Sequence, residues 1–90
     1  MCYLRHAQDE RPRERLMRHG AAALSDAELV ALLLRTGTAR QSALEVARSL
    51  IARFDGLAGL LAAPVADVVS VHGVGPAKGA ELAATVELAR

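Results

Sequence analysis

Aromatic residues and cysteines are scarce in this chain of 90 residues. Phenylalanine and tyrosine occur once each and tryptophan is absent, so aromatic residues make up only 2% of a sequence that is 52% hydrophobic. The core must therefore be built from leucine, valine, isoleucine and alanine, whose small side chains let helices approach closely. Cys2 is the one cysteine, which excludes an intrachain disulfide and a metal-binding cluster of thiolates and fits a reducing cytoplasm.

Long apolar runs and an excess of one charge are also missing. No uninterrupted apolar run approaches the roughly 20 residues that span a bilayer, and residues 1–9 lack the apolar segment of a signal peptide. We therefore expect a cytoplasmic protein that does not contact the membrane. With 11 basic and 10 acidic residues the net charge is +1, so any affinity for nucleic acid must come from a local patch and oriented backbone groups.

The hydrophobic pattern predicts an all-α fold, a compact helical bundle formed by residues 11–90 after a flexible N-terminal arm at residues 1–10. Pro12 can begin a first helix that ends at Gly20. Ser25 with Glu28, and Ser42 with Glu45, form capping boxes that begin two further helices. A short helix from Leu57 to Ala62, another from Val65 to Val71 and a long one from Pro76 to Arg90 complete the prediction. The helix after Ser25 is apolar nearly all round and is expected at the centre of the core.

The two halves of the chain resemble each other. Placing Gly37 over Gly73 also places Ala43 over Gly79, so each half reads as a helix, a turn that contains glycine, a small residue and an apolar stripe. This predicts tandem hairpins related by a pseudo-two-fold axis: a degenerate one at about residues 26–54 and a good helix-hairpin-helix at about 65–90. Small residues after the turns would let the paired helices come close.

The second turn is the best candidate for a binding site. Gly73 and Gly75 allow positive φ on either side of Val74, which is expected to plug the turn into the core. The turn leads into a helix whose first N–H groups have no intrahelical partner, and these groups bind anions. We expect phosphate to be held by residues of this turn and of the start of the helix, namely His72, Gly73, Val74, Gly75, Ala77 and Lys78. Lys78 would also contribute the charge of its side chain. The alternative is a plain connection that uses its glycines only to turn.

The first turn is a weaker candidate. It offers a secondary set of possible DNA contacts, namely Gly37, Thr38, Arg40, Gln41 and Ser42. The simpler interpretation is that Thr38 and Ser42 are used for turn and cap hydrogen bonds, which would leave this site degenerate. The arginines of the first helix, Arg11, Arg13, Arg15 and Arg18, could form a second basic stripe that faces phosphate. Because Glu10 and Glu14 alternate with them, an ion-paired, solvated face is the favoured interpretation.

Longer stretches of the sequence resemble the N-terminal domain of the bacterial RadC family. They include the run from Glu10 to Leu16, the segments from Ala23 to Leu29 and from Ala31 to Gly37, the run Gln41 to Glu45, and the turn from Gly73 to Lys78. The resemblance implies a helix-hairpin-helix that binds the phosphate backbone of duplex DNA without reading bases, with a link to DNA repair. It also implies a C-terminal JAMM/MPN-type domain, similar to zinc metallopeptidases, as a further partner outside these 90 residues.

No catalytic or metal site is expected in this chain. Its histidines, His6, His19 and His72, show neither i, i+2 nor i, i+4 pairing, so no zinc site carries over, and no cofactor is expected. Ser25 is explained as a helix cap rather than a nucleophile. The sequence thus favours a non-catalytic DNA-binding accessory domain, and the alternative is a protein-interaction or regulatory module for a JAMM-like domain.

Overall fold

The computed structural model of the chain describes residues 11–90, and the predicted flexible arm at residues 1–10 lies outside this range. The described residues form six α-helices, one short 3₁₀ turn and no strand, which confirms the all-α prediction. The helices are α1 (Pro12–His19), α2 (Asp26–Leu34), α3 (Ala43–Arg53), α4 (Leu57–Ala62), α5 (Val65–Val69) and α6 (Gly75–Ala89), and the 3₁₀ turn is Ala21–Ala23. No helix among residues 11–90 is both long and apolar enough to cross a bilayer.

Both predicted capping boxes are present. The hydroxyl of Ser25 accepts a hydrogen bond from the backbone N–H of Glu28 at 3.2 Å, and the Glu28 carboxylate accepts one from the Ser25 N–H at 2.8 Å. Ser42 and Glu45 repeat this arrangement at 3.1 and 2.8 Å. Each box satisfies N–H groups that the first helical turn leaves without partners, which fixes where α2 and α3 begin.

The core lies where α2 packs against α3. Leu34, Val46 and Leu50 are the largest side chains that are wholly removed from solvent. The placement of α2 at the centre is confirmed only in part, because Leu29, Leu32 and Leu33 are half-buried while its buried residues are Val30, Ala31 and Leu34. Neighbouring helices cover one side of α2 more fully than the other, so an apolar residue on every face is not buried on every face.

Arg15 attaches α1 to the rest of the fold. Its guanidinium pairs with the Glu28 carboxylate and also donates a hydrogen bond to the carbonyl oxygen of Ala23 at 2.9 Å. The predicted ion-paired character of this helix is thus confirmed for Arg15, but the partner is a residue of α2 rather than a neighbouring glutamate. Arg15 is therefore occupied in holding α1 and does not form part of a free basic stripe.

The sequence overestimates how much of α6 is buried. Its predicted apolar stripe comprised Ala80, Leu82, Ala83 and Val86 with Leu88 or Ala89, yet the buried residues of α6 are Gly79 and Leu82, and Leu88 is 86% exposed. The reason is length: α6 has 15 residues and its partner α5 has five, so α5 can cover only the first turns of α6.

Candidate nucleic-acid interface

The turn between α5 and α6 has the backbone geometry that its glycines predict. Gly73 has φ +95° and Gly75 has φ +71°, both in the region that side chains disfavour. Between them Val74 is only 5% exposed and belongs to the core. The buried valine fixes the turn against the domain, so the backbone on either side of it is held in one conformation.

Several backbone donors in and directly after this turn have no acceptor. The N–H of Val74 donates to the carbonyl oxygen of Val71 at 3.1 Å, whereas the N–H groups of His72, Gly73, Gly75 and Ala77 have no acceptor within residues 11–90. Helix α6 begins at Gly75, one residue earlier than predicted, and Pro76 follows in the first turn, where its missing N–H group is not needed. These donors lie at the positive end of a 15-residue helix, an arrangement that can hold an anion.

Gly79 allows α5 and α6 to approach each other closely, as predicted. It is buried, and a Cβ atom built on it would lie 2.2 Å from Cγ1 of Val69 and 3.4 Å from Cβ of the same residue. Any larger residue at this position would push the two helices apart. The glycine therefore sets the geometry of the turn that precedes it.

Lys78 is placed differently from the simple phosphate ligand that the sequence suggested. Its Nζ atom donates to the carbonyl oxygen of Thr36 at 2.6 Å and to the Thr36 hydroxyl at 3.1 Å. One turn further along α6, the Glu81 carboxylate pairs with the guanidinium of Arg35 at 2.9 Å. Sequence reasoning missed both contacts, which join residues 42 and 46 positions apart, and no local signal reveals them.

The first turn uses several of its backbone donors internally. The hydroxyl of Thr38 accepts from the N–H groups of Arg40 at 3.1 Å and Gln41 at 3.0 Å, and Ser42 caps α3. A Cβ atom at Gly37 would lie 2.0 Å from the carbonyl oxygen of Gln41, so this glycine is needed for close backbone packing rather than for positive φ. This agrees with the simpler interpretation, in which Thr38 and Ser42 serve the turn and the cap.

The fold brings the two turns together. A Cβ atom at Gly73 would lie 3.1 Å from the methyl carbon of Thr38 and 3.1 Å from a methyl carbon of Val46. The main and secondary candidate sets thus lie on adjoining parts of the surface, with Arg40 and His72 exposed. In the first turn the N–H groups of Gly37 and Ala39 have no acceptor within residues 11–90, so both turns keep backbone donors at this surface.

The sequence of this chain is similar to those of a family of longer proteins. The model of the family described as UPF0758 N-terminal matches residues 5–80. The chain is 57% identical over 83 residues to the UPF0758 protein of Psychrobacter cryohalolentis, with 92% of the chain and 37% of that protein covered. It is 60% identical over 82 residues to the UPF0758 protein of Methylibium petroleiphilum, with 91% and 37% covered. The chain thus spans little more than a third of these relatives, and no solved structure matches it.

Proposed function

The chain belongs to the UPF0758 N-terminal family, the N-terminal region of the RadC family, and we propose that it is a non-catalytic DNA-binding accessory domain. In this proposal helices α5 and α6, with the turn between them, form a helix-hairpin-helix that holds backbone phosphates of duplex DNA without reading the bases. The domain would position a further domain of the same protein, of the JAMM/MPN type that the resemblance implies. A role in DNA repair is part of the same proposal.

The observation that carries the proposal is the set of N–H groups without an acceptor at the start of α6, among them those of Gly73, Gly75 and Ala77. Backbone donors at the start of a helix bind phosphate oxygens of any sequence, because every nucleotide presents the same phosphate group. The buried Val74 fixes these donors in advance, which lowers the conformational entropy lost on binding. The geometry therefore supports sequence-independent binding better than base recognition.

The charge balance supports modest affinity. A net charge of +1 gives little long-range attraction, so binding must depend on few phosphate contacts. The ammonium of Lys78 uses two of its three protons on Thr36, which leaves one proton for a phosphate oxygen beside the turn. The logarithm of the binding constant is then expected to fall linearly with the logarithm of the salt concentration. The slope should be about −1 for each phosphate that the protein neutralises.

Fluorescence anisotropy with a labelled duplex at low salt tests this function. Lys78→Glu should weaken binding by tenfold or more, whereas Arg13→Glu, the same change of charge at an exposed position of α1, should leave it within twofold. Ala77→Pro removes one of these backbone donors without changing charge, at a first-turn position where proline is tolerated, and should weaken binding about threefold to tenfold. Circular dichroism confirms that each variant folds.

Two results would contradict the proposal. If Lys78→Glu binds the duplex as tightly as the original chain, the turn is not the phosphate site. If Arg13→Glu weakens binding as much as Lys78→Glu, the affinity reflects overall charge rather than a defined contact.

A protein-interaction module is the second candidate function. The observation that favours it is an uncovered apolar groove beside α6, on a different face of that helix from Lys78 and Glu81. A chain that binds no duplex at low salt but binds the rest of a full-length family member would have this function instead.

A further inference from the structure

An apolar groove runs between the α4–α5 region and the second half of α6. It encloses about 220 Å³, and Leu60, Val68 and Leu82 form its buried floor. Leu61 and Val65 form one wall, with 45% and 47% of their surface exposed. The opposite wall consists of Ala83 and Val86, and Glu87 and Arg90 lie at its end.

The shape of the groove suits apolar side chains better than a small molecule. Small-molecule sites usually enclose about 300–1,000 Å³ and place a few polar groups at defined points. This groove is smaller, and charged residues occur only at its end, where Glu87 and Arg90 pair at 3.7 Å. A helix that lays apolar residues at i, i+3 and i+4 into an open channel fits such a surface.

We propose that the groove is the docking surface for an apolar helical segment of the part of the family's chains that lies outside the aligned N-terminal region. The aligned region makes up only 37% of the relatives, so a large part of each protein is available to supply the segment. A segment of the same chain, joined by a short flexible linker, would be present at an effective concentration in the millimolar range. This interaction is additional to DNA binding and does not depend on it.

A cysteine-protection experiment tests the occupant directly. Ala83 and Ala84 are adjacent exposed alanines of α6, and only Ala83 lines the groove. Each is replaced, as Ala83→Cys or Ala84→Cys, in a Cys2→Ser background. The two variants are prepared as the 90-residue chain and as the full-length Methylibium petroleiphilum protein in which this chain replaces the 82 aligned residues. Mass spectrometry of the alkylated peptide gives the labelling rate at each cysteine.

In the 90-residue chain both cysteines should label at similar rates. In the full-length protein the labelling of Ala83→Cys should slow at least tenfold, while Ala84→Cys changes less than twofold. Adding Leu61→Arg, in the groove wall, should restore the labelling of Ala83→Cys. Adding Leu88→Arg, an exposed residue of α6 that does not line the groove, should not.

Unchanged labelling of Ala83→Cys in the full-length protein would overturn the proposal. So would equal protection of both cysteines, which indicates general shielding. Slow labelling of Ala83→Cys in the 90-residue chain, together with a dimer in light scattering, would assign the groove to a second copy and would also overturn it. None of these results bears on duplex affinity, which is measured separately.

Discussion

The ammonium of Lys78 lies 2.6 Å from the carbonyl oxygen of Thr36 and 3.1 Å from its hydroxyl, so the start of α6 is tied to the loop that follows α2. A lysine one turn into the helix of a phosphate-binding hairpin is expected to face the ligand. Here the same side chain also fixes the orientation of α6 relative to the first turn. Lys78 therefore contributes to the geometry of the turn as well as to its charge.

Lys78→Met should lower the free energy of unfolding by about 1 kcal/mol, because it removes two hydrogen bonds from a charged donor that is only half-buried. Urea unfolding followed by circular dichroism measures this. Arg48→Met, at an exposed position of α3, is the control and should stay within about 0.5 kcal/mol of the original chain. Equal stability of Lys78→Met and Arg48→Met would show that the contact with Thr36 stabilises nothing.

Gly79→Ala should destabilise the domain by about 1–2 kcal/mol. The added methyl group collides with Cγ1 of Val69, whose branched side chain has few alternative rotamers, and this cost of overpacking exceeds the gain in helix propensity of roughly 1 kcal/mol. In a Val69→Ala background the collision disappears, so Gly79→Ala should then be neutral or stabilising. A double-mutant cycle in urea measures the change of sign, and additive effects would contradict the close contact.

Gly37→Ala should cost about 3 kcal/mol or more, or prevent folding. Its Cβ atom would lie 2.0 Å from the Gln41 carbonyl oxygen and 2.5 Å from the carbonyl carbon of Ser42, and backbone atoms cannot move aside as side-chain ends can. Gly20→Ala is the matched control, because a Cβ atom there meets nothing within 4 Å and the cost is confined to its backbone conformation, φ +87° and ψ 162°, at about 1–3 kcal/mol. Thermal unfolding should show Gly37→Ala to be the less stable of the two variants.

Acid should destabilise the domain partly through Glu28. The hydrogen bond from the backbone N–H of Ser25, together with the Arg15 guanidinium, lowers the pKa of Glu28 below its ordinary value of 4.5, although burial acts in the opposite direction. A carboxylate whose pKa is lower in the folded state stabilises the fold above pH 4.5, and this contribution is lost as the pH falls through the folded-state pKa.

Glu28→Gln should therefore be less stable than the original chain at pH 7 and should lose less of its stability between pH 7 and pH 3. Urea unfolding at the two pH values measures the difference. Glu87→Gln, at an exposed position near the end of α6, should follow the original chain at both. Parallel loss of stability in Glu28→Gln and the original chain would exclude a contribution from this carboxylate.

Much of the candidate site could be predicted from short stretches of sequence. Two glycines around a valine predicted positive φ at Gly73 and Gly75 and a buried Val74, and all three are confirmed. Gly79 was correctly placed at a close helix contact. The positions of the two turns relative to each other could not be predicted, because contacts such as that between Gly73 and Thr38 join residues far apart in the chain.

The sequence alone predicted each of the six described helices, with boundaries that differ from the structure by one or two residues, as at the end of α5 and the start of α6. Caps such as Ser25 with Glu28 and turns such as Gly73 to Gly75 act over three or four residues, so they can be recognised locally. Only the tertiary structure decided that Lys78 contacts Thr36, that Arg15 holds Glu28 and that half of α6 stays uncovered. Those outcomes depend on which helices meet and how long each partner is. The packing of the six helices in residues 11–90 decides which contacts form, and the hydrophobic period of a single segment does not.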